Sequence, residues 1–194
     1  MASEPVLAIE STSDGELIVN GKSTPSPEPT LFSSDLISPT VAAALPAGYI
    51  ARSLRPSDYD TGFLDCLRVL TTVGDVSKAD FDAQFKWMSA QDKTYFVLVI
   101  EDTAIGKVVA TGNLIVERKF IHELGKVGHI EDIAVAKDQQ GKKLGLRLIQ
   151  ALDFIAEKQD CYKTILDCSE ANEGFYLKCG FKRAGLEMAH YYKK

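Results

Sequence analysis

Apolar residues recur along this chain with two periods, and the switches between them mark its elements. Residues 49–54 read as a strand. Phe63, Leu64, Leu67 and Leu70 then fall three or four apart, which predicts a helix with Ser57 as its N-cap. Ser77 opens a second helix through Phe81, Phe85 and Met88. Residues 95–100 and 107–116 are β-favouring runs joined by a short turn containing Gly106, a predicted hairpin. Residues 125–128 read as a turn into a further strand, residues 129–135, carrying Ile130, Ile133 and Val135. Helical spacing returns with Leu144, Leu148, Ile149, Leu152 and Ile155, followed by a β run over residues 162–168. A last helix ends at Gly180, with Lys178 in its final turn, and residues 181–192 are expected to form a final strand. This order, strand, two helices, three antiparallel strands, helix, strand, helix, strand, predicts an α/β (α+β) domain with a mostly antiparallel sheet flanked by helices.

Ahead of this pattern, residues 1–30 are rich in Ser, Thr, Pro and acids, which predicts a flexible tail; residues 31–41 mix apolar and polar positions as a packing arm does. The expected division is therefore tail and arm over 1–47 and one domain over 48–194. A length of 194 residues with 45% hydrophobic content suits one buried core. The net charge of −5 argues against a general nucleic-acid or anionic-membrane surface, although Lys119, Lys142, Lys143 and Lys163 can form a local basic pocket. There is neither a membrane-length apolar run nor a basic region followed by an apolar signal core, so a soluble, cytoplasmic protein is expected. Cys66, Cys161, Cys168 and Cys179 contain no C-x-x-C pair, and His122, His129 and His190 are not spaced as ligands, so no metal is expected. Cys168 and Cys179 sit among apolar residues, where a thiol stays protonated, which disfavours either as a nucleophile.

The chemistry concentrates in residues 128–145, GHIEDIAVAKDQQGKKLG. Two acids, Glu131 and Asp132, interrupt an apolar strand, and Gln140, Gly141, Lys142, Lys143, Leu144 and Gly145 then open a helix. The first N–H groups of a helix lack internal partners and its dipole is positive there, so main chain can hold a pyrophosphate while lysines assist. Leu146 and Arg147 stand where a P-loop needs Ser or Thr, and the spacing is not that of a dinucleotide fingerprint.

The segment instead resembles the acyl-CoA signature of the GCN5-related N-acetyltransferases: Gln or Arg, two variable residues, Gly, one variable residue, then Gly or Ala. Lys143 stands at the first of those glycines, and Gly141 supplies flexibility one step earlier. A second block, NEGFYLKCGF from Asn172 to Phe181, resembles the C-terminal signature of the same superfamily. The resemblance implies that superfamily's fold, with two splayed parallel strands whose free backbone pairs with the pantetheine of acetyl-CoA. It places Ile133, Ala134, Val135, residues 140–146 (Gln140 to Leu146), Asn172, Tyr176 and Lys178 around that cosubstrate.

The runs VLTTVG (69–74), ATGN (110–113), ERKFIHELG (117–125) and CYKTILDC (161–168) are similar to the eukaryotic branch that acetylates an amino-sugar phosphate, D-glucosamine 6-phosphate. That implies direct acetyl transfer to a deprotonated amine, with no covalent enzyme intermediate. Glu131 or Asp132, directly or through water, accepts the proton; Asp167 orients the amine or hydroxyls; backbone near Ile133 stabilises the oxyanion; Tyr176 protonates the CoA thiolate. The resemblance puts Lys119, His122 and Lys163 near the sugar phosphate with Thr71 as a donor, and Phe120, Ile121, Tyr162 and Glu187 in the same site. Relatives carry a C-terminal Arg on that phosphate; here Tyr191 or Tyr192 takes its register, with Lys193 and Lys194 beyond. A homodimer with exchanged C-terminal strands is implied, and the apolar content of residues 181–192 suits one. Two other readings keep the CoA blocks: an acetyltransferase for a polyamine or protein lysine, and a non-catalytic acyl-CoA-binding module.

Overall fold

The computed structural model describes residues 27–192 and, before them, the short antiparallel strands β1 (Glu10–Ser11), β2 (Leu17–Val19) and β3 (Lys22–Thr24). The rest of the expected tail lies outside the described residues. Leu31 and Phe32 lie against the main sheet. Leu31 N–H donates to Leu54 O (3.1 Å), Phe32 N–H donates to Ser53 Oγ (3.0 Å), and the Phe32 ring packs on Phe96 with centroids 5.7 Å apart. Helix α1 (Pro39–Ala44) follows, capped by Ser38, whose hydroxyl accepts from Val41 N–H.

The alternating run at Tyr49 forms β4 (Tyr49–Ser53). The expected cap at Ser57 is not one. Ser57 lies in a 3-10 turn, Pro56–Tyr59, and its N–H and hydroxyl both donate to the Glu28 carboxylate, at 2.7 and 2.8 Å. The helix starts later, after Gly62 at φ +98°, and is short: α2 (Phe63–Leu67), leaving Leu70 half exposed beyond its end. Ser77 caps α3 (Lys78–Ser89) as predicted, accepting from Asp80 N–H at 3.1 Å.

The predicted hairpin is β5 (Tyr95–Asp102) with β6 (Lys107–Arg118). The connection onward differs from the expected turn at residues 125–128. Chain reversal comes earlier, in the one-turn element α4 (Ile121–Leu124), where His122, Glu123 and Leu124 all have φ between +52° and +63°. Three left-handed non-glycine residues supply the turn that glycine was expected to supply. Gly125 follows in extended conformation, tucked where a Cβ would meet His122 O at 2.9 Å and Tyr162 Cδ1 at 3.0 Å. Strand β7 (Lys126–Val135) therefore already includes residues 126–128. Helix α5 (Leu144–Lys158), β8 (Cys161–Ile165) and α6 (Glu170–Lys178) complete the order.

The main sheet runs β4-β5-β6-β7-β8, antiparallel except for the parallel β7–β8 pair. Alternation along β5 divides its side chains between two cores. Phe96, Leu98 and Ile100 join Leu148, Ile149, Leu152 and Ile155 of α5; Val97 and Val99 join Phe63, Phe81 and Phe85 of α2 and α3. The final strand expected in residues 181–192 does not form. Leu186, Met188, Tyr191 and Tyr192 are 83–92% exposed and have no regular structure.

Candidate active site

The geometry of the site begins with a bulge in β7. Thr111 pairs with Ala134 and Asn113 with Glu131, so Gly112 alone faces both Asp132 and Ile133. A Cβ on Gly112 would lie 2.5 Å from Ile133 Cδ1, so a larger residue there would make the Ile133 side chain shift. Asp132 takes a left-handed φ of +55°, a conformation aspartate tolerates better than most residues. Pairing of β7 to β8 stops at His129 with Ile165. The strands then part, leaving the 130–135 side of β7 open toward residues 166–168, as the splayed-strand expectation requires.

Glu131 is half buried beside this opening. Burial is the main cause that lifts its pKa; the nearby charges of Asp132, Asp167 and Glu187 add to it, and His129 opposes. Those four predicted acids thus share one electrostatic environment. Tyr176 lies on α6, half buried, with its pKa raised chiefly by burial and further by Cys168, Cys179 and Glu131. The phenol stays protonated at neutral pH. Its helix ends in a Schellman cap: Gly180 has φ +96°, its N–H donates to Leu177 O, and Phe181 N–H reaches back to Tyr176 O. Phe175 and Tyr176 rings pack edge to face at 5.0 Å, and both touch the α5-side core.

The loop before α5 turns on two left-handed residues. Gly141 has φ +83° and Lys143, at the signature's glycine position, has φ +63°, so both residues turn left-handed rather than Gly141 alone. Lys143→Gly is expected to raise stability by about 1 kcal/mol by removing a left-handed non-glycine residue. A thermal melt that shifts downward would contradict this. Gly145 packs closely: a Cβ there would lie 3.3 Å from Phe175 Cζ, a tight contact, and 3.7 Å from Val135 Cγ2. That contact brings the start of α5, the end of β7 and α6 together. Gln140 Nε2 donates to Val135 O at 3.4 Å, tying the loop to the strand. Leu144 is buried in the core, so only its backbone can face a ligand, and Leu146 is half buried. Asn172 and Lys178 are exposed on α6.

The four lysines do not form one basic pocket. Lys163 stands opposite Val127 near the start of β7, and Lys119 N–H bonds Gly125 O beside it, whereas Lys142 and Lys143 follow the far end of β7, roughly 25 Å along the strand. Lys119 is ion-paired to Glu117 (2.7 Å), which also accepts from His129 Nε2 (2.9 Å) and whose pKa these partners lower. His122 and Tyr162 rings pack at 4.6 Å, with Lys163 Nζ 5.7 Å from the Tyr162 centroid. Phe120 and Ile121 are exposed beside them, at 95% and 62%. Thr71 is exposed on the α2 side, and no hydrogen bond or ion pair among the described residues joins it to that group. Cys179 is half buried and burial raises its thiol pKa, as expected; Cys168 is exposed, not in apolar surroundings.

Sequence reasoning passed over Asn113. It lines a cavity of about 240 Å³ beneath α2 and α3 that Asp132 also borders, and its buried Oδ1 has no hydrogen-bond partner. The signal was a second polar residue, two positions after Thr111 on the same inward face of β6.

Residues 61–181 match the model of the acetyltransferase (GNAT) family. The chain belongs to that family. It is 56% identical over 144 residues to the glucosamine 6-phosphate N-acetyltransferase of Candida albicans, covering 74% of this chain and 96% of the relative. Glucosamine 6-phosphate N-acetyltransferase 1 of Dictyostelium discoideum is 46% identical, over 74% and 91% of the two chains. The crystal structure of the Arabidopsis thaliana glucosamine-6-phosphate N-acetyltransferase superposes with a TM-score of 0.73 at 37% identity, over 75% of this chain and 99% of that one. The matched residues 61–181 take in the bulged β7, β8 and the loop ahead of α5. Among the described residues, no helix is long and apolar enough to cross a membrane.

Proposed function

We infer that this chain is a glucosamine 6-phosphate N-acetyltransferase, which moves the acetyl group of acetyl-CoA onto the amine of D-glucosamine 6-phosphate to give N-acetyl-D-glucosamine 6-phosphate. It serves UDP-N-acetylglucosamine synthesis in the cytoplasm. The observation that carries this reading is the half-buried Glu131 with a raised pKa, set beside a strand bulge in a chain 56% identical to an enzyme of that name. The loop of Gly141, Lys142, Lys143 and Gly145 suits the anionic end of acetyl-CoA, because its glycines leave open backbone or close packing where side chains would interfere. Thiol release from acetyl-CoA that depends on D-glucosamine 6-phosphate tests the assignment; its absence would overturn it.

The amine nitrogen attacks the thioester carbonyl, the C–S bond breaks and the amide forms. Glu131 takes the amine proton, since its raised pKa makes it a stronger base than an ordinary glutamate. The Ile133 N–H in the bulge serves the oxyanion without reorganisation. Tyr176 returns a proton to the departing CoA sulfur. Tyr176→Phe is expected to lower kcat by about ten- to a hundredfold with little change in either KM. An unchanged kcat would remove Tyr176 from the chemistry.

A homodimer completes the site. Lys163 is in register with Val127, four residues or about 13 Å before Glu131, so within one chain the cationic set is offset from the acids. The exposed Phe120, Ile121, Leu124, Leu186 and Met188, and the terminal segment with no strand partner, support a partner chain that exchanges this segment and supplies the phosphate contacts. Sedimentation equilibrium should give twice the 21.2 kDa chain mass. A 21.2 kDa particle with full activity would contradict the dimer.

A further inference from the structure

Tyr49, Gln139 and Lys142 meet from three parts of the chain: the first residue of β4, the end of the 3-10 turn Lys137–Gln139, and the loop before α5. The Tyr49 hydroxyl donates to Gln139 Oε1 at 2.6 Å. Lys142 Nζ donates to the Tyr49 oxygen at 2.6 Å and to the same Gln139 Oε1 at 2.7 Å, and lies 5.2 Å from the Tyr49 ring centroid. Gln139 is only 7% exposed, and its amide nitrogen donates to Asp138 Oδ2 at 3.0 Å, so the acceptor is fixed in place.

Both partners of the ammonium are neutral. They restrain the long side chain without neutralising it, and of its three N–H bonds one remains for a ligand. The Tyr49 hydrogen bond, with smaller contributions from the Asp102 and Asp138 carboxylates farther off, raises the Lys142 pKa and keeps the charge in place. An unrestrained surface lysine loses rotamer freedom when it grips a phosphate; one already held loses less.

We propose that Tyr49, together with Gln139, is a positioning residue that pre-orients Lys142 for the phosphates of acetyl-CoA. This rests on the reading of residues 140–145 as the acyl-CoA phosphate loop. Tyr49 itself touches no reacting atom, and its hydroxyl matters only while Lys142 is present.

The test compares full-length wild type, Tyr49→Phe, Lys142→Ala and the double variant, with acetyl-CoA binding by calorimetry and both KM values by thiol release. Tyr49→Phe keeps the ring and is expected to raise the Kd and KM for acetyl-CoA about three- to tenfold, with kcat and the KM for the amino sugar within about twofold of wild type. In the Lys142→Ala background the same change should add nothing. An unchanged acetyl-CoA affinity in Tyr49→Phe, or an effect that persists without Lys142, overturns the positioning role. If Tyr49→Phe lowers the melting temperature, Gln139→Leu read against Lys142→Ala makes the same comparison. Wild type that binds no acetyl-CoA would instead sink the acyl-CoA reading beneath it.

Discussion

Glu131→Gln is expected to lower kcat by roughly two orders of magnitude while leaving the fold intact, the typical loss when a positioned general base is removed. The substitution keeps the side-chain shape and hydrogen-bonding reach and deletes only the capacity to accept a proton. The pH dependence separates this from a structural effect. Burial, with Asp132, Asp167 and Glu187 nearby, raises the pKa of Glu131 above its ordinary 4.5. In wild type, kcat should therefore fall as the pH drops through a value above 4.5, and the variant should lose that limb. The stability sign runs the other way. A carboxyl group with a raised folded-state pKa contributes stability while protonated, below its unfolded pKa, and loses that contribution as pH rises through the folded pKa. At neutral pH the ionised Glu131 is therefore a burden on the fold, so Glu131→Gln should not lower the neutral-pH melting temperature. A wild-type-like kcat, or a collapse of the melting temperature, would refute the assignment.

Asp58→Ala is expected to destabilise the folded chain by about 3–5 kcal/mol, the range seen when one partner of a buried ion pair is removed. Asp58 is wholly buried and takes both guanidinium arms of Arg52, at 2.7 and 2.8 Å. It also accepts from Arg55 N–H at 2.8 Å and Thr61 Oγ at 3.1 Å. Arg52 in turn donates from Nε to Glu101 on β5 at 2.7 Å. Alanine would leave the turn at residues 56–59 without its central acceptor and Arg52 with one carboxylate in place of two. The melting temperature should fall by roughly 10 °C for a domain of this size. A shift below about 2 °C would show the network to be replaceable by water.

Residues whose apolar period is long and regular were legible. The α5 stripe, the β5–β6 hairpin, the Ser77 cap and Gly180 follow from local chemistry. The misreadings share a cause in distant or missing partners. Ser57 is drawn away from a helix cap by Glu28, twenty-nine positions earlier, which no local pattern reveals. Reversal before β7 uses His122, Glu123 and Leu124 in left-handed conformations, against the intrinsic preferences that pointed to Gly125 and Gly128. Residues 181–192 carry strand-forming residues, yet a strand needs a neighbour, and a single chain offers this segment none. Motif spacing singled out the acids, the glycine loop and Tyr176 as candidates. It did not reveal that β7 separates Lys119 and Lys163 from Lys142 and Lys143, because that depends on strand length and register. Nor did it mark Tyr49, which reaches Lys142 across ninety-three positions of sequence.

The most direct test of the account is the rate of thiol release from acetyl-CoA with D-glucosamine 6-phosphate, unphosphorylated glucosamine, spermidine and a lysine peptide as competing acceptors. The sugar phosphate should be preferred in kcat/KM by at least about a hundredfold, the discrimination a built phosphate site gives over an acceptor lacking that group. Equal or better turnover of spermidine or the peptide would keep the fold and the acyl donor but contradict the acceptor.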